Sequence, residues 1–266
     1  MARSIWTGAL SFGLVNVPVG LYSATEDRSI RFNQFAAGTS DRIKYRRVNE
    51  RTGDEVEFAD IVKGYDTGDG EYVVVTPDEL DAVESGPSKT IELLDFVDLE
   101  QIDPIYFQKA YYLAPQGKGS PHAYALLREA MRDTKKVGIA QFVMRGKQYL
   151  VAIRAVEEAL VLETLYFADE IRNPVEEIET LPVDASFKPR ELAAAKMLIE
   201  SMEAKWDPDQ YHDTYRERVE ELIESKRQGG TIKTEHTEVT PTKVVDLLDA
   251  LKASVDSAQK GRRKAS

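Results

Sequence analysis

At 266 residues with 42% apolar content, the chain is long enough for one substantial buried core with smaller appendages. The lack of cysteine excludes disulfides, thiolate metal sites and cysteine nucleophiles, and a formal charge of −11 argues against a protein that coats nucleic acid indiscriminately. Neither a run of about 18 apolar residues nor the core of a signal peptide is present, so the expected setting is soluble and cytoplasmic, with no membrane partner.

Positive charge is segregated. Residues 41–51 carry +3, residues 128–154 carry +5 and residues 252–266 carry +4, which leaves −23 on the remainder. Such separation fits a positive inner surface within an acidic outer one, where field focusing favours a polyanion.

In chain order, residues 4–24 read as two apolar β segments broken by Gly8, Gly13 and Gly20, with Pro18 implying an edge or a bulge. Residues 41–63 predict a hairpin with Thr52-Gly53 in its connection, and alternation places Arg42, Lys44 and Arg46 on one strand face. Asp54, Glu55, Glu57 and Asp60 return on the other strand, so the row either stabilises the hairpin by cross-strand pairing or meets a polyanion. Residues 66–71, DTGDGE, lack the ligand spacing of a calcium loop and suit a tight turn. A β run at 72–76 follows, then Thr76 and Glu79 at the spacing of a helix-starting capping box. Further β runs lie at 90–97 and 107–113, with a short helical turn between them.

Residues 120–154 organise the rest. Ser120 and Pro121 suit a helix start, with Ser120 capping the free amides. Tyr124, Leu127 and Met131 share one face, and Arg128, Arg132 and Lys135 share another. Gly138 lets the chain leave the helix, and β runs at 137–144 and 148–154 flank the turn Arg145-Gly146-Lys147. Lys135 and Lys136 would also suit a helix C-terminus on dipole grounds alone. A strand at 160–167 closes this part.

Asn173-Pro174 and Leu181-Pro182 mark a boundary. Beyond it, residues 187–205 predict a helix with Leu192, Ala195, Ile199 and Met202 on one stripe. Asp207-Pro208 restarts a second, striped by Tyr211, Tyr215, Val219 and Leu222 and ended by Gly229-Gly230. These helices either pack on their own core or clasp another subunit. Residues 231–240 read as a linker or an added strand. Val244, Leu248, Leu251 and Val255 then repeat on a last amphipathic helix before a basic tail, GRRKAS. His122, His212 and His236 have no spacing that suggests a metal site or a triad, and no Walker loop, nucleophile elbow or zinc signature occurs.

Six separated blocks occur in the order found in the bacterial Ku proteins, the DNA-end-binding factors of non-homologous end joining. They are SIWTGALSFGLVNVPVGLYSA, YRRVNERTGDEVEFADIVKGY, YALLREAM, VGIAQFVMRGKQYL, LVLETLYFADEIR and YHDTYRERVEELIESK. The chain closely resembles that family over nearly everything except its final tail. The resemblance implies an α+β fold: an antiparallel β-barrel core over 1–182 with an inserted bridge at about 36–65, a helical dimerisation arm over 183–230, and a terminal module over 231–266. It implies no enzyme activity and no cofactor, but a homodimeric ring threaded by double-stranded DNA ends, and recruitment of the ATP-dependent DNA ligase D. Many relatives carry a long Lys/Pro/Ala-rich extension where this chain stops at GRRKAS. The expected phosphate contacts are Arg42, Lys44, Arg46, Arg47, Arg128, Arg132, Lys135, Lys136, Arg145, Lys147 and Arg154. The expected dimer interface comprises Leu192, Ile199, Trp206, Tyr211, Tyr215, Val219 and Leu222, and the expected ligase-binding residues are Val244, Leu247, Leu248 and Leu251. The alternatives are a metal-dependent nucleic-acid hydrolase and an acidic scaffold that binds only proteins.

Overall fold

The computed structural model describes residues 3–83, 89–182 and 184–229. Gly13, at φ +57, turns the N-terminal run back on itself, because a positive φ suits a residue without Cβ. Strands β1 (Trp6–Phe12) and β2 (Val15–Ser23) thereby pair antiparallel from Trp6↔Leu21 to Phe12↔Val15. Pro18 is tolerated in β2 at a local edge. Its carbonyl accepts from the Gln116 N–H at 2.9 Å, just beyond the last pair with the next strand, Val19↔Pro115.

The chain then leaves for a long insertion containing β3 (Lys63–Asp66), β4 (Tyr72–Val75) and helix α1 (Pro77–Val83). It returns as β5 (Thr90–Asp98), crosses through two 3₁₀ turns at 99–106, and continues as β6 (Phe107–Pro115). Helix α2 (Ser120–Thr134), β7 (Lys136–Met144), β8 (Lys147–Val156) and β9 (Ala159–Leu165) complete the fold. The strands close into a barrel in the order β1-β2-β6-β9-β8-β7-β5, and β3 and β4 form a separate two-stranded sheet.

The barrel is mixed rather than antiparallel throughout. Seven strands cannot alternate direction around a closed ring, so one neighbouring pair must run parallel. That pair is β1 and β5, in register at Ala9↔Thr90.

Inside the barrel, Leu10, Val19, Leu21, Ile91, Leu113, Val151, Ile153, Leu160 and Leu162 form a core that also takes in Tyr124, Leu127 and Met131 of α2. Outside it, the crossover at 99–106 packs Ile102 and Tyr106 against a second cluster at Val137, Ala152 and Leu165. This explains why Val151, Ala152 and Ile153 are buried in succession on β8: one wall of the barrel is covered on both faces.

Two local expectations are corrected. Ser120 does not cap the amides of α2. Its hydroxyl donates to the carbonyls of Gln116 at 2.5 Å and Gly117 at 3.2 Å, and the cap position belongs to Gly119. Nor does Gly138 end the helix. Lys135 does so at φ +54, whereas Gly138 lies inside β7, where a Cβ would come within 2.4 Å of a Leu93 methyl.

The insertion also departs from expectation. Residues 41–63 do not form one continuous hairpin. Two small loops follow each other, closed by the single bridges Phe35↔Arg42 and Val48↔Glu55. Residues 43–47 belong to no strand, so alternation does not set Arg42, Lys44 and Arg46 on one sheet face. With neither face buried, nothing pins a ladder there. Within the second loop, Gly53 turns at φ +77 as expected, and Asn49 Oδ1 accepts from the Arg51 and Thr52 amides. The turn at 66–71 and the reciprocal Thr76–Glu79 capping box are present.

One compact unit runs to Asn173, apart from Ser29–Arg31, and a second begins at Pro174. The second contains α3 (Pro174–Glu177), α4 (Pro189–Met202) and α5 (Thr214–Arg227), none with a buried residue. Asp207-Pro208 starts only a 3₁₀ turn. Asp213 caps α5 by accepting from the Arg216 amide at 3.0 Å, which leaves Tyr211 outside the helix.

Tyr124 ties α2 to the barrel wall: its hydroxyl donates to the Leu113 carbonyl at 2.6 Å and accepts from the Leu160 amide at 2.7 Å. Tyr124→Phe leaves both groups without that partner and is expected to cost about 1–3 kcal/mol in chemical denaturation. Burial raises the Tyr124 pKa above its usual 10.0, so the folded chain keeps this proton after the unfolded chain has lost it. Its contribution is therefore complete below pH 10 and declines as the pH rises further. The phenylalanine variant should lose that part of the alkaline decline.

Candidate nucleic-acid interface

Strand direction assigns most of the expected cations to one end of the barrel or the other. Because β2 is antiparallel to β1, and β5 parallel to it, β2 finishes at the end where β5 begins. The insertion is therefore rooted at a single end. The β7–β8 turn lies there too, since β7 runs against β5 and Met144 pairs with Lys147. Helix α2 instead joins the finish of β6 to the start of β7, at the opposite end.

Apart from Arg154, the cations of 128–154 are thus divided between the two ends. At the α2 end, Arg128 is mostly buried and donates to both the carboxylate and the carbonyl of Glu158, each at 2.7 Å. Its Nε is buried without a partner among the described residues. Arg132 bonds the Glu129 carboxylate at 3.2 Å and the Glu157 carbonyl. Lys136 pairs with Asp98 at 2.7 Å, and Lys135 forms no ion pair among the described residues. The arginine contacts lock α2 to the β8–β9 turn, and the Lys136–Asp98 pair ties the start of β7 to the end of β5. On the outer wall, Arg154 makes a two-bond pair with Glu163 at 3.0 and 3.1 Å, and these hydrogen bonds raise its pKa further.

At the insertion end, Arg145 forms no ion pair among the described residues, and its own φ of +56 holds it at the tip of the turn. Lys147 lies over the Tyr149 ring at 5.5 Å and only 3.7 Å from Glu170. In the insertion, Lys44 has no side-chain partner among the described residues. Arg47 rests over the Phe58 ring at 5.0 Å, and Arg42 donates to the neutral Asn33 at 2.6 Å. Arg46 pairs with Glu55 at 3.0 Å, a single opposite-charge contact across the second loop and not a paired row between strands. Lys89 and Lys109 also lie at this end, where β5 and β6 begin, and Lys109 covers the Tyr111 ring. Sequence reasoning missed both, because a lone lysine beside an apolar run carries no pattern.

Arg42, Lys44, Arg47, Arg145 and Lys147, together with Lys135 at the α2 end, therefore stand with weak, neutral or no side-chain partners among the described residues, whereas Arg128, Arg132, Lys136 and Arg154 are committed to internal contacts. Among the described residues, no group of three or more His, Asp or Glu side chains could hold a metal ion, and no helix is long and apolar enough to cross a membrane. In the second unit, Leu192, Ile199, Trp206, Tyr211, Tyr215 and Leu222 are exposed and Val219 is partly covered. Trp206 stacks on Tyr211 at 5.2 Å. Val244, Leu247, Leu248 and Leu251 lie outside the described residues.

The structure is thus a closed mixed barrel that throws a long, coreless, cation-bearing insertion from one end. Residues 11–194 match the Ku70/Ku80 beta-barrel domain. The chain is 52% identical to non-homologous end joining protein Ku 1 of Saccharopolyspora erythraea, over 98% of this chain and 81% of that protein. It is 40% identical to non-homologous end joining protein Ku of Mycobacterium tuberculosis, over 97% of this chain and 96% of that one. The chain belongs to the Ku family of bacterial non-homologous end joining proteins.

The division of cations has a stability readout. Arg154→Ala strips the half-buried Glu163 of its partner and should cost about 1–2 kcal/mol in denaturant unfolding. Lys44→Ala and Arg145→Ala, on exposed positions without ion pairs, should stay within about 0.5 kcal/mol of the parent.

Proposed function

We propose that the chain acts as a homodimeric ring that threads double-stranded DNA ends without regard to sequence and recruits ATP-dependent DNA ligase D to them. It does so with no catalytic chemistry or cofactor of its own. The observation that carries this reading is the insertion: from Thr25 to Leu80 no residue is buried, although Phe32, Phe35, Ile43, Tyr45, Phe58 and Tyr65 lie on it. Ordering each residue costs about 1–2 kcal/mol of backbone entropy, which a segment without a core does not offset. A second copy supplies the missing surface. The exposed apolar residues of α4 and α5 make the same demand, and in this reading they form the dimerising arm.

Cations left with weak partners then do the binding. Arg42, Lys44, Arg47, Arg145 and Lys147 contact phosphates, which gives affinity without base readout. Closure around the duplex supplies selectivity topologically, since loading requires a free end. The names of the relatives, non-homologous end joining proteins, support work at DNA ends. Residues 231–266 recruit the ligase in this reading, by the resemblance stated above.

A competition assay is decisive. Linear duplex should displace a bound linear probe, while covalently closed circles of equal length compete poorly; equal competition overturns threading. With about four contacts per subunit, log affinity against log salt should fall with a slope near −7, and a slope shallower than about −3 counts against a lined ring. Lys44, Arg47 and Arg145 changed together to Ala should weaken binding at least ten-fold and leave the dimer intact. Removal of 241–266 should spare DNA binding and abolish ligase stimulation.

A further inference from the structure

The hairpin β3–β4 stands apart from the barrel sheet. Among the described residues its strands pair only with each other, from Lys63↔Val75 to Asp66↔Tyr72. Each strand therefore keeps one edge on which backbone N–H and C=O groups meet no other described strand, and a lone two-stranded hairpin is marginal in water.

The two edges differ. Strand β3 reads Lys-Gly-Tyr-Asp, with a charge at each end and Gly64 between, features that discourage strand addition. Strand β4 reads Tyr-Val-Val-Val, with no charge, glycine, proline or bulge. Tyr72, Val73 and Val74 are 66%, 54% and 56% exposed, so apolar side chains leave both faces of the strand. A strand with one solvated face alternates apolar with polar residues. A continuous apolar run belongs to strands covered on both sides and flanked by neighbours.

We propose that the open edge of β4 pairs antiparallel with β4 of a second copy, giving a four-stranded sheet across a twofold axis. The inference rests on the homodimer reading and adds which edge makes the contact. A second copy fits this edge because an uncharged apolar strand opposes its own equivalent without like-charge repulsion. An isologous contact completes both insertions at once. Geometry also permits it. Two identical strands become antiparallel neighbours about an axis normal to the sheet, so one residue meets its own equivalent. With the axis at Val74, Val73 faces Val75 of the second copy and Tyr72 faces Thr76; with the axis at Val73, Tyr72 faces Val74. No like charges oppose each other within the strand in either register.

The chain has no cysteine, so introduced thiols report this contact directly. Val73→Cys and Val74→Cys are made separately in the full chain and oxidised mildly. A residue on the axis lies about 4.5–5.5 Å from its equivalent, Cβ to Cβ, close to the separation a disulfide spans. One of the two variants should convert most of the protein to a covalent dimer, and Tyr65→Cys on β3 should not. In sedimentation equilibrium, Val73→Lys or Val74→Lys should weaken the dimer at least ten-fold without altering barrel unfolding. A dimer in which neither thiol cross-links and lysine leaves the affinity unchanged overturns the edge contact and keeps the homodimer. Cross-linking through Tyr65→Cys alone moves the contact to β3 and also overturns it. A monomer at every concentration overturns both.

Discussion

An odd number of strands in a closed ring is the constraint from which the rest of the molecule follows. It compels one parallel neighbour pair, which falls between β1 and β5. Since β2 is antiparallel to β1, the chain reaches the start of β5 without crossing the barrel, and whatever lies between is ejected from one end. The insertion is therefore a product of topology as much as of its own sequence. It departs and returns beside the β7–β8 turn that carries Arg145. The same direction rule sends the strand-connecting helix α2 to the far end, along with the arginines on its surface.

Charge on this protein divides by partner more than by position in the sequence. An arginine that finds a carboxylate and a carbonyl, as Arg128 does at Glu158, has exchanged its hydration for fixed internal bonds and has little to offer a phosphate. One that rests on an aromatic ring, as Arg47 does on Phe58, keeps its donors facing outward. The net acidity of the chain is compatible with anion binding only because a small set of cations escapes neutralisation.

Much of the barrel was legible in advance. Apolar runs bounded by Gly13, Asp98 and Arg145-Gly146 located strands to within a few residues, and the spacing of Tyr124, Leu127 and Met131 gave the buried face of α2. Neighbour relations were not legible, because alternation specifies a face and is silent about which strand lies alongside. Hence the parallel pair was missed. Arg154 and Glu163 are nine positions apart, and their pairing follows from the register of β8 with β9, which no local pattern encodes. Ser120 misled for another reason: a hydroxyl both donates and accepts, and sequence does not reveal which group it faces. In the insertion, alternating charge imitated a strand although there was no core to hold one.

The placement of β9 between β6 and β8 has a consequence for how the protein is made. Until residues 159–165 leave the ribosome, the other six barrel strands amount to an open sheet with two unsatisfied borders, and the strand that joins those borders is synthesised last. Contacts such as Ala9 with Thr90 span a long stretch of chain, and assembly dominated by such distant pairings is slow and prone to association with neighbouring chains. A nascent chain halted before Leu165 would expose both borders at once, so the final strand is also the clasp that ends this protein's most vulnerable interval.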